Sequence, residues 1–328
     1  MNCSARRSSR RHDACAARFA RTQSTRGGGA PAGDLILPIS VESASLAPGK
    51  AAPEDIEQPR LRLSEACLMT NFSSPAPSEF EQKVVVVTGG SAGIGRAVAN
   101  AFAERGAKVV VAGRNLEAAS LAAGEIERDA GTQALAVRAD IGVAEDCDEL
   151  IAAAVRRFGA ADILVNNAAY FAVIPLLESR PEDAARFLYT NFCGPLFCGQ
   201  AFARWATANG RKGTIVNVSS ISGARPALGC GLYAATKAAL DSLTKSMAFE
   251  WTSMGIRVNG LAPGHVNTEG VQSDFEAGRL DYHAMLARIP AHRIAEVTDI
   301  ANAVLFLCSE QSRHIVGQTL TIDGGESL

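Results

Sequence analysis

From residue 83 onward, the chain alternates short, strongly apolar segments with longer segments in which apolar residues recur at helical spacing. The short segments are rich in Val, Ile and Leu and predict strands. They span residues 83–89, 108–112, 133–139, 162–167, 213–220, 256–262 and 318–323. The longer segments predict helices near residues 97–106, 116–129, 145–158, 181–207, 232–254 and 298–308.

Seven strands in alternation with helices predict an α/β fold. Runs such as "KVVVVTG" (83–89) are apolar without interruption, which is typical of strands covered on both faces. We therefore expect a doubly wound, parallel, seven-stranded sheet of the Rossmann type, with helices on both faces and right-handed crossovers. A single domain of this kind is expected over residues 80–328.

Residues 1–79 show no such alternation. Gly and Pro recur there and no apolar period persists, so the segment is predicted to be a disordered extension. Its first thirty residues hold seven Arg and one acidic residue, Asp13. Three explanations stay open: translation that begins at Met69, a dispensable extension, or an organelle targeting signal. The start at Met69 is favoured, because "MTNFSSPAPSEFEQK" would form a short polar leader before the first strand.

Composition and charge narrow the class of protein. The chain is 47% hydrophobic with a formal net charge of −2, so it has no global basic field that would attract nucleic acid. No apolar run approaches the roughly 20 residues that a membrane span needs. The eight Cys contain no C-x-x-C pair and are interpreted as reduced thiols. We expect a cytoplasmic protein without nucleic-acid or membrane partners.

A glycine-rich turn, "TGGSAGIG" (88–95), follows the first predicted strand and leads into a helix. Gly89, Gly93 and Gly95 lack side chains, so the backbone can approach a pyrophosphate closely. The N-terminus of the helix adds N–H groups and partial positive charge. The position of the turn between a buried strand and a helix predicts a dinucleotide site.

The end of the second predicted strand bears on the choice of dinucleotide. Sites of this fold usually place an acidic residue there to accept the ribose 2′-OH, whereas this chain has Gly113 and Arg114. Without a carboxylate to repel a 2′-phosphate, and with a guanidinium to pair with it, NADP(H) is favoured over NAD(H). The alternative is that Arg114 only faces solvent.

Further motifs follow the turn in order. They are "NNAA" (166–169), "NFCG" (191–194), "VSS" (218–220), "YAATK" (233–237), "PGHVNT" (263–268) and "TIDGG" (321–325). With these motifs, residues 80–328 resemble the short-chain dehydrogenase/reductase superfamily in its single-domain form. The resemblance implies a catalytic set of Ser220, Tyr233, Lys237 and Asn191.

The resemblance also implies a role for each residue. Ser220 holds the substrate oxygen, and Tyr233 exchanges a proton with it. Lys237 binds the nicotinamide ribose, and Asn191 anchors a water-linked proton relay. The implied cofactor site comprises Gly89, Ser91, Gly93, Ile94, Gly95, Arg114, Asp140, Asn166, Ala168, Tyr233, Lys237, Pro263, Gly264, Val266 and Thr268.

One departure from the family pattern is Ala169, which stands where the family usually has glycine. We expect the added methyl group to be tolerated if the backbone there keeps a negative φ.

Tyr233 and Lys237 lie four residues apart, so they share one face of the predicted helix. The pair could be simple packing, but the flanking motifs favour chemistry. A lone phenol is a poor base at neutral pH, and a neighbouring ammonium is expected to lower its pKa. We therefore expect reversible, NADP(H)-dependent hydride transfer between a carbonyl and a secondary alcohol, with Tyr233 as the general acid/base.

Several alternatives remain. One is an NAD-dependent sugar or polyol dehydrogenase, and another is a cofactor-binding regulatory protein without turnover. A sugar-nucleotide epimerase or dehydratase is less favoured, since its T-G-x-x-G-x-x-G turn does not match. The presumed substrate segment, 265–290, mixes charged and apolar groups and suits a modestly polar substrate. Its His265 and His283 are interpreted as polar loop residues or ligand contacts, and no metal site is expected. The resemblance implies a homotetramer or homodimer.

Overall fold

The computed structural model describes residues 77–328. Residues 1–76, with Met69 and most of the predicted extension, lie outside the described residues. The strands are β1 (Val84–Thr88), β2 (Lys108–Gly113), β3 (Ala134–Arg138), β4 (Ile163–Asn166), β5 (Gly213–Val218), β6 (Ile256–Pro263), β7 (Val266–Asn267), β8 (Ala295–Glu296) and β9 (Thr319–Ile322). The helices are α1 (Gly93–Ala103), α2 (Leu116–Ala130), α3 (Ala144–Phe158), α4 (Pro181–Leu188), α5 (Gly194–Ala208), α6 (Gly231–Trp251), α7 (Glu269–Glu276), α8 (Tyr282–Leu286) and α9 (Val297–Cys308).

Seven of these strands form one parallel sheet in the order β3-β2-β1-β4-β5-β6-β9. They correspond to the seven predicted strands. The chain builds outward from β1 to β3 on one side and then from β4 to β9 on the other. The predicted doubly wound parallel sheet is confirmed, and its topological switch point lies between β1 and β4.

Helices cover both faces of the sheet. One core cluster joins α1, α2 and α9 to the sheet, and the other joins α3, α5 and α6 to the opposite face. Every residue of β1 is buried: Val85 and Val87 belong to the first cluster, and Val84 and Val86 to the second. Alternate side chains of β1 enter two different cores, one on each face of the sheet, so every valine position of this strand has to be apolar.

The predicted helix over residues 181–207 is not a single α-helix. A π-helical turn, Tyr189–Cys193, separates α4 from α5. Pro195 has no backbone N–H, so the carbonyl of Asn191 cannot receive an α-helical hydrogen bond from it. The wider turn carries Asn191, whose side chain is buried.

Residues 265–290, for which no element was predicted, contain α7 and α8. Nearby, β7 and β8 pair as a separate two-stranded parallel sheet. Strands of two residues are too short to produce a periodic pattern. The segment has a small apolar core of its own, formed by Met285, Ile289 and Ile294.

The residues at the predicted domain boundary, residue 80, pack against the domain. Pro77–Phe80 form a short 3-10 helix. The Phe80 ring is buried and meets the Phe102 ring edge-on, with centroids 5.0 Å apart. The Glu79 carboxylate accepts a hydrogen bond from the backbone N–H of Glu310 at 2.6 Å. These contacts tie the residues before β1 to α1 and to the end of α9.

This packing predicts the effect of Phe80→Ala. Removal of a buried aromatic side chain should lower the free energy of unfolding by about 3 to 5 kcal/mol. Urea unfolding of the full chain, followed by far-UV circular dichroism, measures it. Glu81→Ala, at an exposed neighbour, is the control and should change stability by less than about 0.5 kcal/mol. Equal stability of the two variants would contradict the packing role of Phe80.

Candidate active site

A cleft of about 530 Å³ opens at the carboxyl ends of β1, β2 and β4, at the switch point of the sheet. The loops that follow the strands diverge there, which leaves room for a ligand. The lining residues are Gly89, Ser91, Ala92, Gly93, Ile94, Ala112, Gly113, Arg114, Asn115, Ala139, Asp140, Ile141, Asn167, Ala168, Ala169, Thr190, Thr268, Glu269 and Gly270.

The glycine-rich turn forms one wall of the cleft. Gly89 and Gly93 have φ values of +65° and +52°, in the left-handed region that favours glycine. A Cβ at Gly95 would overlap the carbonyl oxygen of Gly89, so α1 can pack this closely on β1 only with glycine there. The cap residue of α1, Ala92, supplies no side-chain hydrogen bond, so the first N–H groups are left for an anion. These features fit the pyrophosphate of a dinucleotide.

Thr88 and Asn167, which were not predicted, hold the turn in place. The Thr88 hydroxyl accepts from the backbone N–H groups of Asn167 and Ala168 at 3.0 and 3.1 Å. The Asn167 side chain donates in return to the carbonyls of Thr88 and Gly89 at 3.0 and 3.2 Å. These bonds join the ends of β1 and β4 across the switch point. In the sequence, the feature that could have indicated these hydrogen bonds is Asn167, the second Asn of the motif "NNAA".

The first Asn of that motif, Asn166, does not line the cleft. Its side chain is buried and donates to the Asn217 side chain at 2.9 Å, while its Oδ1 has no partner among the described residues. The predicted place of Asn166 beside the cofactor ribose is therefore not supported, whereas Ala168 does line the cleft. Among residues 77–328, the non-Gly residues with positive φ are Gln82 and His292, which confirms that Ala169 keeps a negative φ.

The far end of the cleft holds the residues predicted to select the dinucleotide. Arg114 is exposed and lines the cleft at the end of β2. Ser91 also lines the cleft and lies next to Gly113, since its Oγ would be 3.8 Å from a Cβ placed on that glycine. Asn115 uses its side chain to cap α2, accepting from the backbone N–H of Ala118 at 3.2 Å.

Residues 113–115 contain no carboxylate. Asp140 also lines the cleft and accepts a hydrogen bond from the backbone N–H of Gly142 at 3.0 Å.

The residues of the motif "PGHVNT" (263–268), which begins at the end of β6, lie in different places: one lines the cleft and another is in the core. Thr268 lines the cleft, where its Cγ2 would be 3.4 Å from a Cβ at Gly93, and its hydroxyl caps α7. Val266 is buried in the core. Pro263 ends β6, and Gly264 packs closely on Asp323. Neither Pro263 nor Gly264 lines the cleft.

The predicted catalytic residues gather at the ends of β5 and α6. Tyr233 lies in the first turn of α6, and Ser220, which follows β5, is close enough to act on the pKa of its phenol. The Lys237 Nζ lies 5.5 Å from the centroid of the Tyr233 ring and donates to the carbonyl of Val218 at 2.7 Å. Lys237 is buried. The structure thus brings Ser220, Tyr233 and Lys237 into one group.

Asn191 reaches this group through Thr236, the neighbour of Lys237. Its Nδ2 donates to the Thr236 hydroxyl at 3.2 Å and to the carbonyl of Tyr170 at 2.9 Å. Its Oδ1 accepts from the backbone N–H of Tyr170 at 2.7 Å. Asn191 therefore fixes the loop after β4 against α6.

The electrostatics of the pair differ from the expectation. Burial raises the pKa of the Tyr233 phenol to about 12, and the hydrogen bond to Ser220 offsets only part of this. The expected lowering of this pKa by Lys237 is wrong for the protein on its own, because desolvation of the phenol dominates. Burial also lowers the pKa of Lys237 to about 8, against an opposing effect of Asp241. Both groups are thus held toward their neutral forms.

The histidines of the segment 265–290 form no metal site. Among the described residues, no group of three or more His, Cys, Asp or Glu is placed to hold a metal ion. His265 is paired instead, with its Nδ1 2.7 Å from an Oε2 of the buried Glu326. Within residues 77–328, no helix is long and apolar enough to cross a bilayer.

Comparisons with known proteins agree with this geometry. A family model described as Enoyl-(Acyl carrier protein) reductase matches residues 89–327. The sorbitol dehydrogenase of Cereibacter sphaeroides is 38% identical over 255 residues, which cover 74% of this chain and 96% of that protein. The cis-4-hydroxycyclohexanecarboxylate dehydrogenase of Sinomonas cyclohexanicum is 39% identical over 250 residues, which cover 75% and 97%.

A solved structure is similar as well. The crystal structure of a Sinorhizobium meliloti 1021 protein assigned to the short-chain alcohol dehydrogenases is 34% identical, with a TM-score of 0.70. The match covers 77% of this chain and 98% of that chain. The chain belongs to the short-chain dehydrogenase/reductase superfamily, whose members are oxidoreductases that use a nicotinamide cofactor.

Proposed function

We propose that this protein interconverts a carbonyl and a secondary alcohol by hydride transfer with NADP(H), and that Tyr233 is the general acid/base. The observation that carries the proposal is the grouping of Ser220, Tyr233 and Lys237: the buried Lys237 Nζ lies 5.5 Å from the centroid of the Tyr233 ring and donates to the carbonyl of Val218, on the strand that leads to Ser220. The cleft, whose lining includes Thr190 next to Asn191, has a wall of glycine backbone that fits a dinucleotide. When bound, the nicotinamide supplies or accepts the hydride.

The chain's own residues handle the substrate oxygen and its proton. Ser220 and Tyr233 each carry a hydroxyl group in this group of residues, and each hydroxyl can donate to a carbonyl oxygen placed beside them. As that oxygen gains negative charge, the Tyr233 phenol transfers its proton to it. A pKa of about 12 keeps the phenol protonated at neutral pH, so it has this proton to donate.

Lys237 has the donors to restore that proton and to bind a ribose. Its Nζ uses one N–H on the carbonyl of Val218. With a pKa of about 8, the amine is mainly protonated at neutral pH and retains two more donors. Asn191 steadies this arrangement through Thr236.

The preference for NADP(H) rests on Arg114 and on the absence of a carboxylate in residues 113–115. A second candidate function is an NAD-dependent sugar or polyol dehydrogenase, which the likeness to a sorbitol dehydrogenase favours. A regulatory protein without turnover is disfavoured by the complete set of Ser220, Tyr233, Lys237 and Asn191. The homo-oligomeric state and the cytoplasmic location stay predictions.

Tyr233→Phe removes the proposed proton donor and leaves the ring packing intact. Turnover in carbonyl reduction should fall by about 100- to 10,000-fold, since general acid catalysis contributes that much. Fluorescence titration with NADPH should show an unchanged Kd. Tyr189→Phe, which removes an exposed hydroxyl, is the control and should keep normal turnover. Near-normal turnover in Tyr233→Phe would overturn the mechanism.

Arg114→Ala tests the choice of cofactor. Loss of a charge-assisted contact to the 2′-phosphate should raise the Kd for NADPH by about 10- to 100-fold. The Kd for NADH should change by less than about 3-fold, because NADH lacks that phosphate. Arg128→Ala, at an exposed arginine of α2, serves as the control. Equal effects on both dinucleotides, or tighter NADH binding by the native protein, would favour the NAD-dependent alternative.

The buried amine of Lys237 predicts a pH dependence of stability. Its pKa is about 8 in the folded protein and near 10.5 in the unfolded chain, so the unfolded state binds more protons between these values. The free energy of unfolding should therefore rise with pH in this window, by about 2 to 3 kcal/mol from pH 8 to pH 10. Lys237→Met lacks this contribution.

Urea unfolding of the native protein and of Lys237→Met at several pH values measures the free energy of unfolding of each. The difference between the two free energies isolates the contribution of Lys237, because the other titrating groups are the same in both proteins. A difference that stays constant from pH 8 to pH 10 would show that the amine is not desolvated.

A further inference from the structure

An exposed apolar segment lies next to the proposed catalytic tyrosine. The loop after β4 contains "FAVIPLL" (171–177), seven apolar residues in succession outside any helix or strand. Phe171, Val173 and Leu176 expose 57%, 64% and 62% of their surface. Leu228, in the loop before α6, is 98% exposed. We name these four side chains the apolar rim.

The two loops of the rim are joined to each other. The backbone N–H of Ile174 donates to the carbonyl of Gly229 at 2.7 Å. Val173 packs where a side chain at Gly229 would be, since its Cγ1 would lie 2.5 Å from a Cβ there. Leu176 packs in the same way on Gly231. Glycine at both positions lets the loop after β4 lie directly on the start of α6.

The rim is continuous with Tyr233. The Phe171 ring meets the Tyr233 ring edge-on, with centroids 5.1 Å apart. The rim therefore borders the phenol that exchanges a proton with the substrate. A carbon skeleton attached to the reacting carbon would lie against these side chains.

Two polar residues that follow the loop segment 171–177 in the chain have partners within the protein. The Ser179 hydroxyl donates to the carbonyl of Leu176 at 2.8 Å. Arg180 is paired with Asp183 at 3.3 Å. The rim is thus bordered by groups that are engaged within the protein.

Several polar side chains of the segment 265–290 are engaged in the same way. His265 is paired with Glu326, and Arg279 donates to Asp274 at 2.7 Å. The Asp281 carboxylate caps α8 by accepting from a backbone N–H at 3.0 Å. These residues suggested a polar substrate from their composition, but their polar atoms serve the fold.

We propose that the apolar rim binds the skeleton of the substrate, and that this substrate is a ketone or secondary alcohol with an apolar alicyclic or aromatic skeleton. The inference rests on the proposed function. Contact between such a skeleton and the rim removes apolar surface of both from water. A polyol in the same place would bury hydroxyl groups without partners, which disfavours it.

A matched pair of ketones tests the substrate class. The substrates 4-methylcyclohexanone and 4-hydroxycyclohexanone have the same ring and similar size, and they differ in one apolar or polar group. The full chain is assayed with NADPH and with NADH. We expect kcat/KM to be about 10-fold or more higher for the methyl compound, in the range that one buried methyl group gives in an apolar site.

Substitutions in the rim test whether it causes the preference. Phe171→Ala removes apolar surface, and Val173→Thr replaces a methyl group by a hydroxyl at nearly constant volume. Each should reduce the ratio of the two kcat/KM values by about 3-fold or more, chiefly through KM for the methyl compound. Phe249→Ala is the matched control, because Phe249 is 90% exposed on α6 and roughly 24 Å along the helix from Tyr233. It should leave the ratio unchanged.

Different failures have different meanings. Tyr233-dependent reduction with a preference for the hydroxy compound, or a ratio unmoved by both rim variants, overturns this inference and leaves the proposed function intact. The rim variants could also leave the ratio of the two kcat/KM values unchanged while sedimentation shows that Phe171→Ala changes the mass of the assembly. That result would assign the rim to contact between copies of the chain and would also overturn this inference. The proposed function is overturned as well if the two ketones and a panel of sugars are not reduced with NADPH or NADH and a panel of polyols is not oxidised with NADP⁺ or NAD⁺.

Discussion

The desolvation of an amine and a phenol at the end of β5 is the constraint on which the rest of the candidate site depends. Lys237 is buried, and a buried ammonium is costly unless its protons have acceptors. The carbonyl of Val218 accepts one of them at 2.7 Å. This bond ties α6 to the strand that leads to Ser220. The same helix turn carries Tyr233, so the position of the amine also sets the position of the phenol.

That environment gives the phenol a particular chemical character. Desolvation raises the pKa of Tyr233 to about 12 and lowers that of Lys237 to about 8, so each group is pushed toward its neutral form. A neutral phenol is a proton donor, which suits an oxygen that gains negative charge. The opposite task, proton removal from an alcohol, requires stabilisation of the phenolate by added positive charge.

Two kinds of surface meet at this group. On the cleft side, glycines and uncapped helix N–H groups present backbone to a ligand, and Arg114 adds a charge at the far end. On the other side, the exposed side chains of the apolar rim, with Phe171 next to Tyr233, form an apolar surface. Hydrogen bonds of Thr88 and Asn167 hold the first side rigid, whereas the second is an irregular loop. A polar cleft held by hydrogen bonds, next to an irregular apolar loop, is a common division between a cofactor site and a substrate site.

Local sequence determined the elements of the sheet, the glycine turn and the order of the motifs. These depend on side-chain periodicity and on the special backbone of glycine, and both act within a few residues. Even the pairing of Tyr233 with Lys237 follows from helical spacing alone.

Only the tertiary structure decided the direction of the Tyr233 pKa, the burial of Asn166 and the partner of His265. It also decided the π-helical turn at Tyr189–Cys193 and the exposure of the loop 171–177. Desolvation and hydrogen bonding sum over neighbours that are distant in sequence: His265 and Glu326 meet across 61 positions, and Asn166 and Asn217 across 51. The sequence gives the type of each side chain. The tertiary structure decides which neighbouring residues contact its polar atoms, and therefore whether those atoms remain free to bind a ligand.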